Sequence, residues 1–182
     1  MADDKILKRL EEIALDCGFT FAGKIDAATV KPRQDIRDEC AKCRNYGKSW
    51  TCPPACGSLE ECEERVRQYT SGLLLQTTGS LEKDLDWEGM KEAGRKHREN
   101  ILAFEEKMES FFTPEQQWML LGAGGCKICE KCSYPEPCIN PEKRKIVSME
   151  ATGIFIIELS KANNITYHYG PKTLTYVACL LV

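Results

Sequence analysis

Apolar and polar residues alternate along this chain with periods that name its elements. Ile6, Leu10, Ile13 and Cys17 recur at steps of four, three and four, with Leu7 and Ala14 beside them, which predicts an amphipathic helix over 3–17 stopped by Gly18. Cys17 falls on its apolar face and reads as a small core residue. A short apolar run over 19–25 predicts a first strand, and the charged, proline-bearing 29–39 reads as a loop. Ser58 and Glu61 form a capping box ahead of a helix over 59–69. Leu73, Leu74, Leu75 and Gln76 read as a buried strand.

The longest periodic element covers 87–112, where Trp87, Met90, Gly94, His97, Ile101, Phe104, Met108 and Phe111 share one face. Gly94 on that face suggests close approach of another backbone, and His97 reads as a satisfied core residue. A strand over 118–123 leads into Gly124 and Gly125. Asn140 and Pro141 open a helical turn. Ser148 caps a helix over 148–163, although Ile154 to Ile157 would also suit a strand. Two closing strands, 165–169 and 173–182, flank a turn at Gly170 and Pro171, with Cys179 in the core and His168 near the turn. The expected fold class is α/β, or α+β mixed. A small mixed sheet is packed by helices in a single domain over 1–182, with cysteine-rich loops at 40–56 and 126–138.

Composition matters chiefly through sulfur. Among 182 residues there are 11 cysteines and only 2 histidines, and the net charge is −3. That balance argues against a generic nucleic-acid binder, and no apolar run reaches membrane-spanning length. The charged start of the chain lacks a signal-peptide core, so a cytoplasmic location is expected. Cytosolic thiols stay reduced, so so many cysteines point to metal or cluster binding. G-x-G-x-x-G, P-loop, G-x-S-x-G and H-E-x-x-H signatures are all missing.

Eight cysteines form two groups. Cys126, Cys129, Cys132 and Cys138 lie within thirteen positions, and Pro135 and Pro137 stiffen the approach to the last. A C-x2-C-x2-C run wraps three thiolates round a small inorganic core, which is the iron–sulfur pattern. Gly124 and Gly125 let backbone N–H groups come close to cluster sulfurs. The first group, Cys40, Cys43, Cys52 and Cys56, has a spacing that would serve a cubane or zinc. Pro53 and Pro54 are expected to hold the chain extended after Cys52. If Cys56 does not ligate, three thiols remain and one iron is left open to a substrate, a small thiol or water. Cys62 reads as an inert thiol, with ligation the alternative. Glu150 reads as a first-turn helix acid, with a carboxylate near the metal as the alternative. Lys127, Lys131, Lys143, Arg144 and Lys145 surround the second group and would raise a cluster's potential or dock an acidic redox protein.

Three motifs together carry a resemblance. Cys40-x-x-Cys43-x-x-Tyr46-Gly47-x-x-Trp50-x-Cys52-Pro53-Pro54 is followed by Gly125-Cys126-x-x-Cys129-x-x-Cys132 with Tyr134-Pro135 and Cys138, then by Ser148-Met149-Glu150-Ala151-x-Gly153. This set resembles a family of small cysteine-rich proteins of unknown function, domain of unknown function 2284, over nearly the whole chain. The resemblance implies metal binding, clusters of the iron–sulfur type, an anaerobic prokaryotic setting, and three firm cysteines in the first motif with Cys56 variable. The opening Ala14-Leu15-x-x-Gly18-Phe19-x-x-Ala22-Gly23 is also distantly similar to the start of epoxyqueuosine reductases and corrinoid-dependent dehalogenases.

The expectation is therefore two iron–sulfur clusters, of the 4Fe–4S type, in electron transfer or redox chemistry with a redox partner protein. Nucleic acid and membrane are not expected as partners. The other readings are a zinc-stabilised binding module and a cluster-delivery protein.

Overall fold

A computed structural model describes residues 4–141 and 146–182. Helix α1 (Asp4–Asp16) leads to strand β1 (Phe21–Asp26), and a short helix α2 (Gln34–Asp38) precedes the first cysteine loop. Then follow α3 (Leu59–Val66), β2 (Ser71–Ser80), α4 (Trp87–Met108), β3 (Met119–Leu121), α5 (Ile156–Ala162) and β4 (Thr173–Leu181). The strands form one four-stranded sheet in the order β1-β2-β4-β3. Every ladder is antiparallel, with Leu74 opposite Cys179 and Cys179 opposite Leu121. Among the described residues, parallel pairing is confined to the isolated bridge between Gly122 and Ser148. The helix-and-sheet class is as the sequence predicts.

The apolar runs of β2 and β4 are continuous rather than alternating because helices cover both faces of the sheet. On one face Leu73, Leu75, Ala178 and Leu180 pack under α1 and α4, against Leu7, Leu10, Ile101 and Phe104. On the other, Leu74, Val177, Cys179 and Leu181 pack under α3, α5 and the 148–155 segment, against Val66, Met149, Ile154 and Leu159. Each fully buried leucine of this kind contributes roughly 1.5–3 kcal/mol by leaving water. Cys179 is fully buried, and burial pushes its thiol up to about 12, so it behaves as core.

Several local expectations change on folding. The 29–39 stretch contains α2 rather than only loop. The Ser58 capping box is formed, but α3 ends at Val66. On α4 the inner face is Ala93, His97, Ile101, Phe104 and Met108, whereas Trp87 is 68% exposed at the first helical position. Gly94 faces the Tyr176 ring rather than a backbone. Close approach to α4 falls instead at Gly79 of β2, where a Cβ would meet the Ala93 Cβ at 2.7 Å.

Residues 148–153 form a turn instead of a helix. Ser148 Oγ accepts from the Ala151 N–H at 3.1 Å, and the helix begins only at Ile156. Gly153 sits at φ +85°, and a Cβ there would lie 2.8 Å from the Arg33 carbonyl oxygen, so the chain must break direction. The 165–169 stretch is not a strand. Both flanks of β4 are taken by β2 and β3, so no hairpin partner can add. The stretch is held by side chains instead, with Gln76 Nε2 donating to the Thr166 carbonyl at 2.8 Å. The turn expected at Asn140 and Pro141 would continue into 142–145, outside the described residues.

Candidate metal centre

The first cysteine loop folds through its own backbone. Cys43 N–H donates to the Cys40 carbonyl at 3.0 Å, Tyr46 N–H to the Cys43 carbonyl at 3.1 Å, and Gly47 N–H to the Pro53 carbonyl at 2.9 Å. Cys56 N–H donates to the Cys52 carbonyl at 3.2 Å, so the chain after Cys52 turns where Pro53 and Pro54 were expected to extend it. Ser49 and Thr51 are buried in the loop's middle and bond each other at 3.2 Å.

The second loop is pinned at its base, where Gly122 N–H donates to the Val147 carbonyl and Met149 N–H to the Gly122 carbonyl, both at 2.9 Å. Beyond that it leans on the first loop. Cys126 N–H donates to Thr51 Oγ1 at 2.9 Å, and Trp50 Nε1 donates to the Glu136 carbonyl at 3.2 Å. The Trp50 and Tyr134 rings meet edge-on with centroids 5.0 Å apart. A Cβ on Gly125 would lie 3.4 Å from Cys52 Sγ. The two thiol groups therefore adjoin, although Cys126 comes 70 positions after Cys56 in sequence.

All eleven cysteines are free thiols. In the first group, burial pushes the Cys40 thiol up to about 11, aided by the nearby Glu150, Cys43, Cys52 and Cys56. Burial likewise raises Cys52, with Cys43 and Cys132 adding to it and the Ser49 and Thr51 hydroxyls opposing. Crowded, partly buried thiols resist ionising together unless a cation compensates them, which is the donor set a metal or cluster requires. In the second group, burial pulls Cys132 upward. Backbone N–H groups of Tyr134, Trp50 and Ser133 and the Ser49 hydroxyl outweigh that and hold it below an ordinary thiol. Asn140 Nδ2 donates to Cys129 Sγ at 3.0 Å. Cys126, Cys129, Cys132 and Cys138 are all half-buried. Among the described residues, no three His, Cys, Asp or Glu side chains converge tightly enough to grip one ion.

Cys56 stands apart from its neighbours. It is 6% exposed, its S–H faces the Ala151 carbonyl at 3.8 Å, and Arg37 Nη2 approaches its sulfur at 4.0 Å. Cys62 is fully buried but not without polar contact. Arg37 Nη1 and Arg65 Nη2 donate to its sulfur at 3.3 and 3.1 Å. Arg37 is itself only 8% exposed and donates further to the Ala151 and Gly57 carbonyls. A buried guanidinium needs acceptors, and here they are sulfurs and carbonyls. The sequence reading missed both arginines. Arg65 was findable, since it lies one helical turn after Cys62, whereas Arg37 reaches the site only through the tertiary fold.

Glu150 is half-buried in the 148–153 turn, ahead of the helix, so it is not a first-turn acid. Its charge instead acts on Cys40 and Tyr167. Lys127 and Lys131 are exposed, while Lys143, Arg144 and Lys145 lie outside the described residues. His97 is buried beside Thr77, with Nδ1 2.9 Å from Thr77 Oγ1, and His168 is exposed. Among the described residues no helix is long and apolar enough to cross a membrane.

No curated protein and no solved structure matches the chain. The family model described as "Predicted metal-binding protein (DUF2284)" matches residues 23–182, and on that match, with the two adjoining thiol loops inside it, the chain belongs to this family.

Proposed function

We propose that this protein holds two iron–sulfur clusters of the 4Fe–4S type and works in electron transfer or redox chemistry in an anaerobic prokaryote. One cluster would be held by Cys40, Cys43 and Cys52, with Cys56 as the remaining candidate. The other would be held by Cys126, Cys129, Cys132 and Cys138. The supporting observation is the contact between the loops, with Cys126 N–H on Thr51 Oγ1 and Cys52 Sγ against Gly125. Thiols that are adjacent in space and half-shielded from water suit electron passage between two centres. Bound clusters would supply one-electron steps.

The chain's own groups tune that chemistry. N–H donors on Cys129 and Cys132 stabilise negative charge on sulfur and so favour the reduced form. Lys127 and Lys131, exposed on the second loop, offer an acidic redox protein a docking charge. Cys56 is turned toward Arg37 and the Ala151 carbonyl, and if it stays there the first site has three thiols and one open position. An open position is where a substrate would bind, as it is at catalytic metal sites in general.

Air-free purification with iron, zinc and acid-labile sulfide analysis tests the reading. About eight iron and eight sulfide per chain, with broad absorption near 400 nm, are expected for two cubanes. Colourless protein with about two zinc ions would overturn it in favour of a zinc-stabilised module. Cys56→Ala should keep the first cluster's paramagnetic resonance signal, and outright loss of that signal would make Cys56 a ligand.

A further inference from the structure

Two cavities adjoin along α4 and share Arg98, Ala123 and Gly124 in their walls. The outer one is an open groove of about 780 Å³ that also reaches Arg44, His97 and Tyr176. The inner one is a pocket of about 160 Å³, walled by Ile101, Leu102, Ile128 and Ile146 and ending at Cys126 and Lys127. Its volume is close to the ~150 Å³ of an apolar cavity able to take up a benzene ring.

The charges in this space do not cancel. Glu88 is bound by Lys91 at 2.8 Å, and Glu92 by Arg95 at 2.6 Å, so the groove's acids are neutralised within α4 itself. Arg95 also takes Glu99. Arg44, Arg98 and Lys127 have no ion pair among the described residues. Three cations are thus left over around the two adjoining cavities, two of them guanidiniums whose fork fits a carboxylate or phosphate. His97 shapes the same space without adding charge to it. His97 lines the groove at 2% exposure, and its Nε2 has no hydrogen-bond partner. That nitrogen is shut off from solvent, so the ring is a fixed wall of the groove and not a contact for its occupant. Burial holds this imidazole down at about 4, although the Val177 backbone favours the charged form. It is therefore neutral near pH 7 and does not repel the arginines.

We propose that the two adjoining cavities together bind a small organic anion, its carboxylate or phosphate held by Arg44 and Arg98 and its ring-sized apolar body in the inner pocket beside Cys126. This names a substrate class for the redox reading, and its meaning as a substrate site rests on that reading, while binding itself is measured separately.

Calorimetric titration of the air-free, metal-loaded protein with benzoate, phenyl phosphate, benzyl alcohol and inorganic phosphate tests it. At least one aromatic anion should bind saturably and about tenfold or more tighter than both benzyl alcohol, which lacks the charge, and inorganic phosphate, which lacks the ring. Arg98→Leu and Arg44→Leu, both at exposed positions, should each weaken that anion about tenfold with iron content and absorption spectrum unchanged. Ala123→Leu, at the junction of the cavities, should weaken the aromatic anion more than inorganic phosphate. Absence of saturable binding by either aromatic anion, or affinity unchanged in both arginine variants, overturns the inference. Iron and sulfide present without anion binding would sink this site and leave the redox reading standing. Anion binding by a protein free of iron and sulfide would do the reverse.

Discussion

The two cysteine loops are built on different principles. The first is closed by its own backbone, from Cys43 N–H on the Cys40 carbonyl through to Gly57 N–H on the Pro54 carbonyl, round a buried Ser49–Thr51 pair. In the second, among the described residues, no backbone-to-backbone hydrogen bond falls within 124–141. It is held by side chains, namely Thr51 and Trp50 of the first loop, Asn140 on Cys129, and Ser133 Oγ on the Pro137 carbonyl. A loop that satisfies its own backbone can stand before metal arrives. A loop that does not must draw its order from its neighbour and, on the proposed reading, from a bound cluster, whose binding would then supply folding energy.

Stripping the metal gives the widest predicted contrast. Amide protection across 126–138 should fall by a hundredfold or more on chelation, the 43–57 amides by about tenfold, and those of β2 and β4 hardly at all. Hydrogen exchange resolved by mass spectrometry measures it, and equal loss in both loops would erase the distinction drawn here.

Acid should act elsewhere, on the layers beneath α4. The His97 imidazole titrates near 4 in the folded chain against about 6.5 when unfolded, so unfolding takes up a proton between those values. Its contribution is complete above about pH 6.5 and is lost as pH falls toward 4, by about 3 kcal/mol in all. Urea titrations of the wild type and His97→Gln across that window should differ in pH slope, and parallel slopes would show that this histidine plays no part.

The smallest effect expected is at the joint between the loops. Thr51→Val removes the hydroxyl that pairs with Ser49 and accepts from Cys126, and since Ser49 keeps the residue-51 N–H it is the Cys126 N–H that is left without a partner, at a cost of about 1–3 kcal/mol. Limited proteolysis should then cut the second loop before the first. Cleavage in the reverse order would mean that the first loop does not template the second.

The sheet and its covering helices were legible because apolar spacing is a local signal. Leu10, Ile13, Leu75 and Phe104 fell where the pattern put them. The same signal misled at Ser148, because a capping residue followed by apolar positions also begins the turn that Gly153 closes. It misled again at 165–169, because strand propensity in one segment cannot reveal that both flanks of β4 are already filled.

The two cysteine groups were legible from spacing alone, since thiols close in sequence stay close wherever the loop lies. The sequence by itself therefore determined the helix-and-sheet class, the two layers' apolar faces and the grouped thiols of a predicted metal-binding family. Only the tertiary structure brought Cys52 against Gly125, set Arg37 between Cys56 and Cys62, and gathered Arg44, Arg98 and His97 round one groove. Those contacts join residues far apart in the chain. No local period encodes them, and they exist only once packing on both faces of the sheet has fixed where each loop must end.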